Sequence, residues 1–315
     1  MKKKKTMQSH KGPLTESTEG SKKLHAASFS IGASLFLITI KLAATVVTGS
    51  LALLAELLHS VFDLLASILA YLGIRKAEQP ADKTHLYGHE KFENLSSLAQ
   101  TLLIVATSVL IIYEALNRIN APTKIEVPEL GLFVMAVTLT IDYFVSRYLH
   151  SASSKYGSSA LEADAYHFTT DLWGALAVIA GLAFVYLGYP VFDSLAAIAV
   201  ALLMLWISYA LGKKAFHVLM DWSPADSTVE QIERIVSSTP GVKHFHKLRA
   251  RQAGNKLLVE LHIKVSPRIT LRKGHRIAHN VKKKLMRGMS NIKDVTIHVE
   301  PLVSTKKSEE GLLAK

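Results

Sequence analysis

Residues 51–74 read LALLAELLHSVFDLLASILAYLGI. As a helix this stretch is long enough to cross a bilayer, which takes about 20 consecutive, mostly apolar residues. Yet Glu56, His59 and Asp63 sit in its middle. A carboxylate at mid-membrane costs about 2.5–3.5 kcal/mol on insertion scales and marks a functional site whose partner has to be found.

Five further apolar segments are expected to span, at 26–48, 95–117, 130–148, 159–187 and 191–211. Gly49 and Ser50 alone join the first two spans, and residues 188–190 alone join the last two, so each pair runs antiparallel. Lysine and arginine gather on one side of the implied membrane: Lys2 to Lys5, Lys11, Lys22 and Lys23 before the first span, Arg75, Lys76, Lys83 and Lys91 after the second, Arg147 and Lys155 around the fourth-to-fifth loop. Basic loops stay in the cytoplasm, which places both termini there, in a multi-pass protein of the bacterial cell-membrane type. Lys41, inside the first span, is expected to snorkel towards its outer end.

The chain of 315 residues is 49% hydrophobic with a formal charge of +12. That charge would suit nucleic acid if it formed a patch with interleaved aromatics, but the basic residues flank spans, and the basic helix expected over 271–286 lacks such aromatics. No nucleic-acid partner is expected; the lipid bilayer is. With no cysteine, the chain has neither a disulfide nor a thiolate site, so any metal must be held by histidine and carboxylate.

The fifth segment repeats the pattern of the second: Ala55-Glu56-x-x-His59-x-x-x-Asp63 is matched by Ala163-Asp164-x-x-His167-x-x-x-Asp171. Residues four apart on a helix share a face, about 6 Å apart along the axis, so each His–Asp pair can grip one ion. Two faces supply two imidazole nitrogens and two carboxylate oxygens, a tetrahedral set that suits zinc. Glu56 and Asp164, three residues before the histidines, either orient the imidazoles or stand as solvated carboxylates in a cavity.

Beyond residue 212 the composition turns polar. A helix is expected near Asp226, capped by Asp226 or Ser227, then strands over 243–251 and 257–265, the basic helix, and a strand over 294–299. The fold class is an all-α six-helix transmembrane bundle followed by a small α+β domain of α-β-β-α-β order. Boundaries are expected at 1–24 (disordered cytoplasmic tail), 25–212 (six spans), 213–302 (cytoplasmic domain) and 303–315 (disordered tail).

With these motifs in place, the chain resembles the cation diffusion facilitators, exporters of zinc and related metals with paired His-x-x-x-Asp motifs on the second and fifth of six spans. The resemblance covers roughly residues 22–301. It implies a transport site of His59, Asp63, His167 and Asp171, and a metallochaperone-like cytoplasmic domain that binds metal and dimerises. Histidine at both first positions resembles the family's zinc-selective pattern.

Asp82, His85 and His89 follow the second span at +3 and +7. Their spacing alone fits solvated loop histidines as well as a surface site; the resemblance implies a second metal position, with Glu90 where many relatives carry glycine. In the soluble part, His246, His262, His275, His298 and Glu300 can converge on one or two ions or remain surface groups. The resemblance implies a cytoplasmic metal cluster near a dimer interface, with Glu300 in place of the usual Asp. It also implies a salt bridge between Lys91 and Asp221.

The function expected is export of a divalent cation, zinc in exchange for protons, by alternating access, in a homodimer. Zinc is then both cargo and regulatory ligand. A manganese or iron(II) exporter is the alternative within the class. An intramembrane zinc-dependent hydrolase is the alternative outside it, but four protein ligands leave no position for water, so no enzyme is expected.

Overall fold

The computed structural model describes residues 13–48, 51–120, 129–186 and 191–302. Contacts divide it into two compact units that meet between Leu219 and Met220.

The first unit holds six long helices among the described residues: α1 (Pro13–Thr48), α2 (Leu51–Ala77), α3 (Lys91–Asn120), α4 (Glu129–Tyr156), α5 (Ser159–Tyr186) and α6 (Val191–Leu219). Segments within α1, α3 and α6 are apolar enough to cross a membrane on composition alone: Thr18–Val47, Lys91–Asn117 and Ser194–Leu219. Helices α2, α4 and α5 are of similar length, at 27, 28 and 28 residues.

The bundle buries many polar side chains beside an apolar cluster around Ile74, Leu149 and Phe168, and it exposes large apolar ones. Ser30, Ser34, Lys41, Ser60, Asp63, Ser67, Gln100 and Asp142 are buried, whereas Phe36, Val46, Leu102, Leu110, Phe144 and Trp206 are exposed. Water would not tolerate that arrangement; a bilayer favours it, because lipid tails solvate the outer face and the interior satisfies the polar groups. Small residues let the helices close up. A Cβ placed on Gly73 of α2 would fall 2.3 Å from the Cβ of Ser96 on α3, so that pair packs nearly backbone to backbone.

Helix α2 packs against α1, α3 and α5, and α5 packs in turn against α4 and α6. The two motif-bearing helices are therefore direct neighbours.

Two boundaries differ from the sequence reading. The helix starts at Pro13, so residues 13–24 are not a disordered tail; proline suits a first helical turn, and no second proline follows before the span. Lys23 is buried there and pairs with Glu93 at 2.7 Å and Glu78 at 3.2 Å. At the other end α6 runs through Lys213 and Lys214 to Leu219, moving the domain boundary from 212/213 to 219/220. Lysine is a good helix former, and Lys214 bonds Glu162 of α5 at 2.5 Å. Residues 1–12 and 303–315, expected as disordered, lie outside the described residues.

The second unit has the expected order: α7 (Asp226–Ser237), β1 (His244–Ala253), β2 (Lys256–Val265), α8 (Leu271–Gly288) and β3 (Ile292–Pro301). Strand β2 is central, antiparallel to β1 and parallel to β3. Leu257, Val259, Leu261, Ile263 and Val265 alternate into the core with Ile277, Val281 and Leu285 of α8 and Ile232 and Val236 of α7. Both helices thus cover one face of the sheet. Thr270 caps α8 by accepting from Lys273 N–H. Neither Asp226 nor Ser227 caps α7: Ala225 holds that position without a side-chain bond, and Asp226 opens the helix, where its charge favours the dipole.

Candidate metal centres

In the bundle, His167 Nε2 lies 2.9 Å from Asp63 Oδ1, which is also 3.8 Å from His59 Nε2. His59 Nε2 lies 3.2 Å from Asp171 Oδ1. One oxygen of Asp63 therefore stands between both imidazoles, and each histidine faces the carboxylate of the other helix. Tetrahedral zinc with bonds of about 2.0–2.1 Å places neighbouring donors about 3.3 Å apart; the observed 2.9–3.8 Å brackets that spacing. His59, Asp63 and Asp171 form a group with ligand atoms within 4.8 Å of one another; His167 stands outside that group and reaches it through its contact with Asp63. His167 and Asp63 are buried, while His59 is part-exposed.

Two further features of this region were not read from the sequence. Ser67 Oγ donates to Asp164 Oδ1 at 3.0 Å and lies 2.7 Å from Ser30 Oγ, which ties α5 to α2 and α1. Asp164 bonds Ser67, and the buried Nδ1 of His167 has no hydrogen-bond partner among the described residues. The side chain of Glu56 lies outside the described residues. Lys41 does not snorkel: it is buried, and its Nζ donates to Ser60 Oγ at 2.8 Å. The signal was present in the 30, 34, 41 spacing of polar residues on α1, which puts one polar stripe against α2.

The loop after α2 gathers Asp82, His85 and His89 within 4.8 Å. Asp82 lies 3.4 Å from His85 Nδ1 and 3.3 Å from His89 Nε2. The Thr84 hydroxyl and the backbone N–H groups of His85 and Thr84 donate to Asp82, holding its carboxyl well below the usual range. His89 Nδ1 is 3.1 Å from the Pro80 carbonyl, so its N–H donates there and leaves the Nε2 lone pair towards Asp82. Ligating histidines are oriented in this way. Glu90 is not one of the three.

On the sheet, register does the assembly. His246 pairs with His262, and His262 with His298, which sets three imidazoles in one row on the face opposite the helices. Glu300, two residues beyond His298, shares that face. It accepts from His262 Nδ1 at 2.7 Å and His246 Nε2 at 2.9 Å, with His298 Nε2 at 3.8 Å. The hydrogen bonds from His262 and His246 hold its carboxyl down at about 2. The tight group is His246, His262 and Glu300; His275 is exposed on α8 and stands outside it. The longer Glu side chain, in place of Asp, reaches two histidines at once.

Lys91 Nζ donates to the Leu219 carbonyl at 3.2 Å, and Asp221 accepts from Arg251 at 3.1 Å. A Lys91–Asp221 bridge would join the two units and stays an expectation.

A family model described as the cation efflux transmembrane domain matches residues 27–220, and one described as the cation efflux protein cytoplasmic domain matches 224–302. The cation-efflux pump FieF of Serratia proteamaculans is 31% identical over 275 residues, 87% of this chain and 91% of that protein. FieF of Pectobacterium atrosepticum is 29% identical over 288 residues, 91% and 96% of the two chains. The metal-bound C-terminal domain of the CzcD transporter from Thermotoga maritima is 29% identical, with a TM-score of 0.24, over 25% of this chain and 93% of that one.

Proposed function

The chain belongs to the cation efflux family of membrane proteins, and from that premise we propose that it is a zinc/proton antiporter, a transporter and not an enzyme. His59, Asp63, His167 and Asp171 hold the zinc in transit. The observation that carries this reading is the meeting of the two motifs: two helices that pack together bring His59, Asp63 and Asp171 into one group, with His167 on Asp63, inside a bundle.

The chemistry follows from the donors. Imidazole must be neutral to ligate, so zinc entering from the cytoplasm displaces protons from His59 and His167. When α2 and α5 expose the site to the other side, protons return to the imidazoles and compete the zinc away. The protons that drive release are then carried inward by the same residues. Asp63 is the hinge of the exchange, since its one oxygen serves both histidines in turn.

The loop group Asp82, His85 and His89 and the sheet group with His246, His262, His298 and Glu300 are proposed as further zinc positions. On the sheet, zinc would offset carboxylate charge on the open face and favour pairing with a second copy through the cytoplasmic domain. His275 would join such a group only by moving from its present exposed place.

The test is metal-dependent proton flux in sealed vesicles, comparing zinc, cadmium, manganese and iron(II), with Asp171→Ala as the blank. Zinc-driven flux that vanishes in the variant supports the proposal. A preference for manganese or iron(II) would replace the cargo, and the absence of flux with every metal would reject transport in favour of metal binding or hydrolysis.

A further inference from the structure

Lys41 has no role in the exchange just described, yet it sits beside the donors. It is 4% exposed in the last third of α1, and its Nζ crosses to Ser60 Oγ on α2 at 2.8 Å. Ser60 follows His59 directly and precedes Asp63 by three residues, so the ammonium is anchored on the stretch of α2 that carries the ligands. A buried ammonium in a bilayer helix is expensive, and such residues as a rule line ion pathways. Methionine would fill the same space without that cost.

We propose that Lys41 is a fixed counter-cation for the transport site, which weakens the grip on the divalent ion and so speeds its release. The inference rests on the reading of His59, Asp63, His167 and Asp171 as that site. With neutral imidazoles, the two carboxylates present two negative charges, and a divalent cation alone would neutralise them fully. With Lys41 alongside, the loaded site carries an excess positive charge and the empty site a single negative one. Binding is therefore shallower than four ligands would give by themselves. A carrier that bound its cargo at full strength would turn over slowly, because a deeper bound state raises the barrier to release, and tightening of this kind lowers KM without raising the rate. Ser60 holds the ammonium at its post. A lysine reaching the outer end of α1 could not exert this effect, as water and salt there would screen it.

The experiment is zinc uptake into vesicles containing the full chain, read as KM and kcat, together with radioactive zinc retained by the purified protein in excess of the amount retained by its Asp171→Ala version. Lys41→Met removes the charge and keeps the bulk. It is expected to lower KM, and to tighten the Asp171-dependent retention, by on the order of tenfold, while kcat falls. Lys41→Arg, which keeps the charge, should bring both values back towards those of the parent. A lysine that served packing alone would leave KM unchanged or raise it as the bundle loosened. An unchanged or raised KM in Lys41→Met, or retention no tighter than the parent where uptake is too slow to read, overturns the inference. If the parent itself shows neither Asp171-dependent uptake nor Asp171-dependent retention, the transport-site reading fails first and the inference goes with it.

Discussion

The bundle and the cytoplasmic sheet solve one problem with the same donors and opposite physics. In the bundle, His59, Asp63, His167 and Asp171 are brought together by two helix turns and share oxygens in a mostly buried site. On the sheet, His246, His262 and His298 stand in one strand-register row on a half-exposed face, with Glu300 clasping two of them. The buried carboxylates have no water to fall back on, so each must be offset by a neighbour. The exposed ones can lose a partner to solvent at little cost. The difference teaches that identical ligand types can make a site whose carboxylates are obligatory and another whose carboxylate is adjustable, according to burial.

The sharpest way to break the comparison is Asp63→Ala. Because one Asp63 oxygen serves both imidazoles, zinc-driven proton flux in vesicles should fall at least ~100-fold, while zinc held by the sheet stays; residual flux near the parent rate would show that the bundle group is not the pathway. Next in size is Leu285→Ala, which removes a fully buried side chain from the cytoplasmic core. A loss of about 2–5 kcal/mol is expected, seen as protease cleavage confined to the second unit. Equal loosening of α1–α6 would contradict the division into two units.

His262→Ala sharpens the other side. It takes the central imidazole from the row and should weaken zinc held by that domain by on the order of 10- to 100-fold in chelator competition, with flux at saturating zinc preserved. The smallest effect concerns acid. The Glu300 carboxyl is held at about 2 against an ordinary 4.5 by His262 and His246, so its contribution to stability is complete above about pH 4.5 and lost as pH falls towards 2. Hydrogen exchange in β2 and β3 of the metal-free chain should accelerate across that window relative to Glu300→Gln at the same pH. Parallel profiles for the two proteins would show that the clasp contributes nothing to the sheet.

Much of this architecture was legible in the chain. Spans follow from apolar length, and the repeated Glu/Asp-x-x-His-x-x-x-Asp stands out because lipid makes each ionisable residue costly. The α-β-β-α-β order came from alternation in 257–265 and the turn at Gly254, whose φ of +59° suits glycine. Less legible were the ends of α1 and α6, where polar helical extensions carry no apolar signal, and the cap of α7, where two polar candidates yielded to Ala225. Lys41 was misplaced because helical rise gives distance along an axis and no information on which neighbour the side chain meets.

By itself the sequence determined which residues can ligate metal, on which helices and strands they lie, and that α2 and α5 carry matching faces. Local chemistry and periodicity suffice for that. Only the tertiary structure decided that Asp63 stands between both histidines, that Asp164 binds Ser67, that Lys41 turns inward to Ser60, and that His275 stands outside the histidine row. Those outcomes depend on which helix faces pack together and on strand register, relations between residues far apart in the chain that no local pattern encodes.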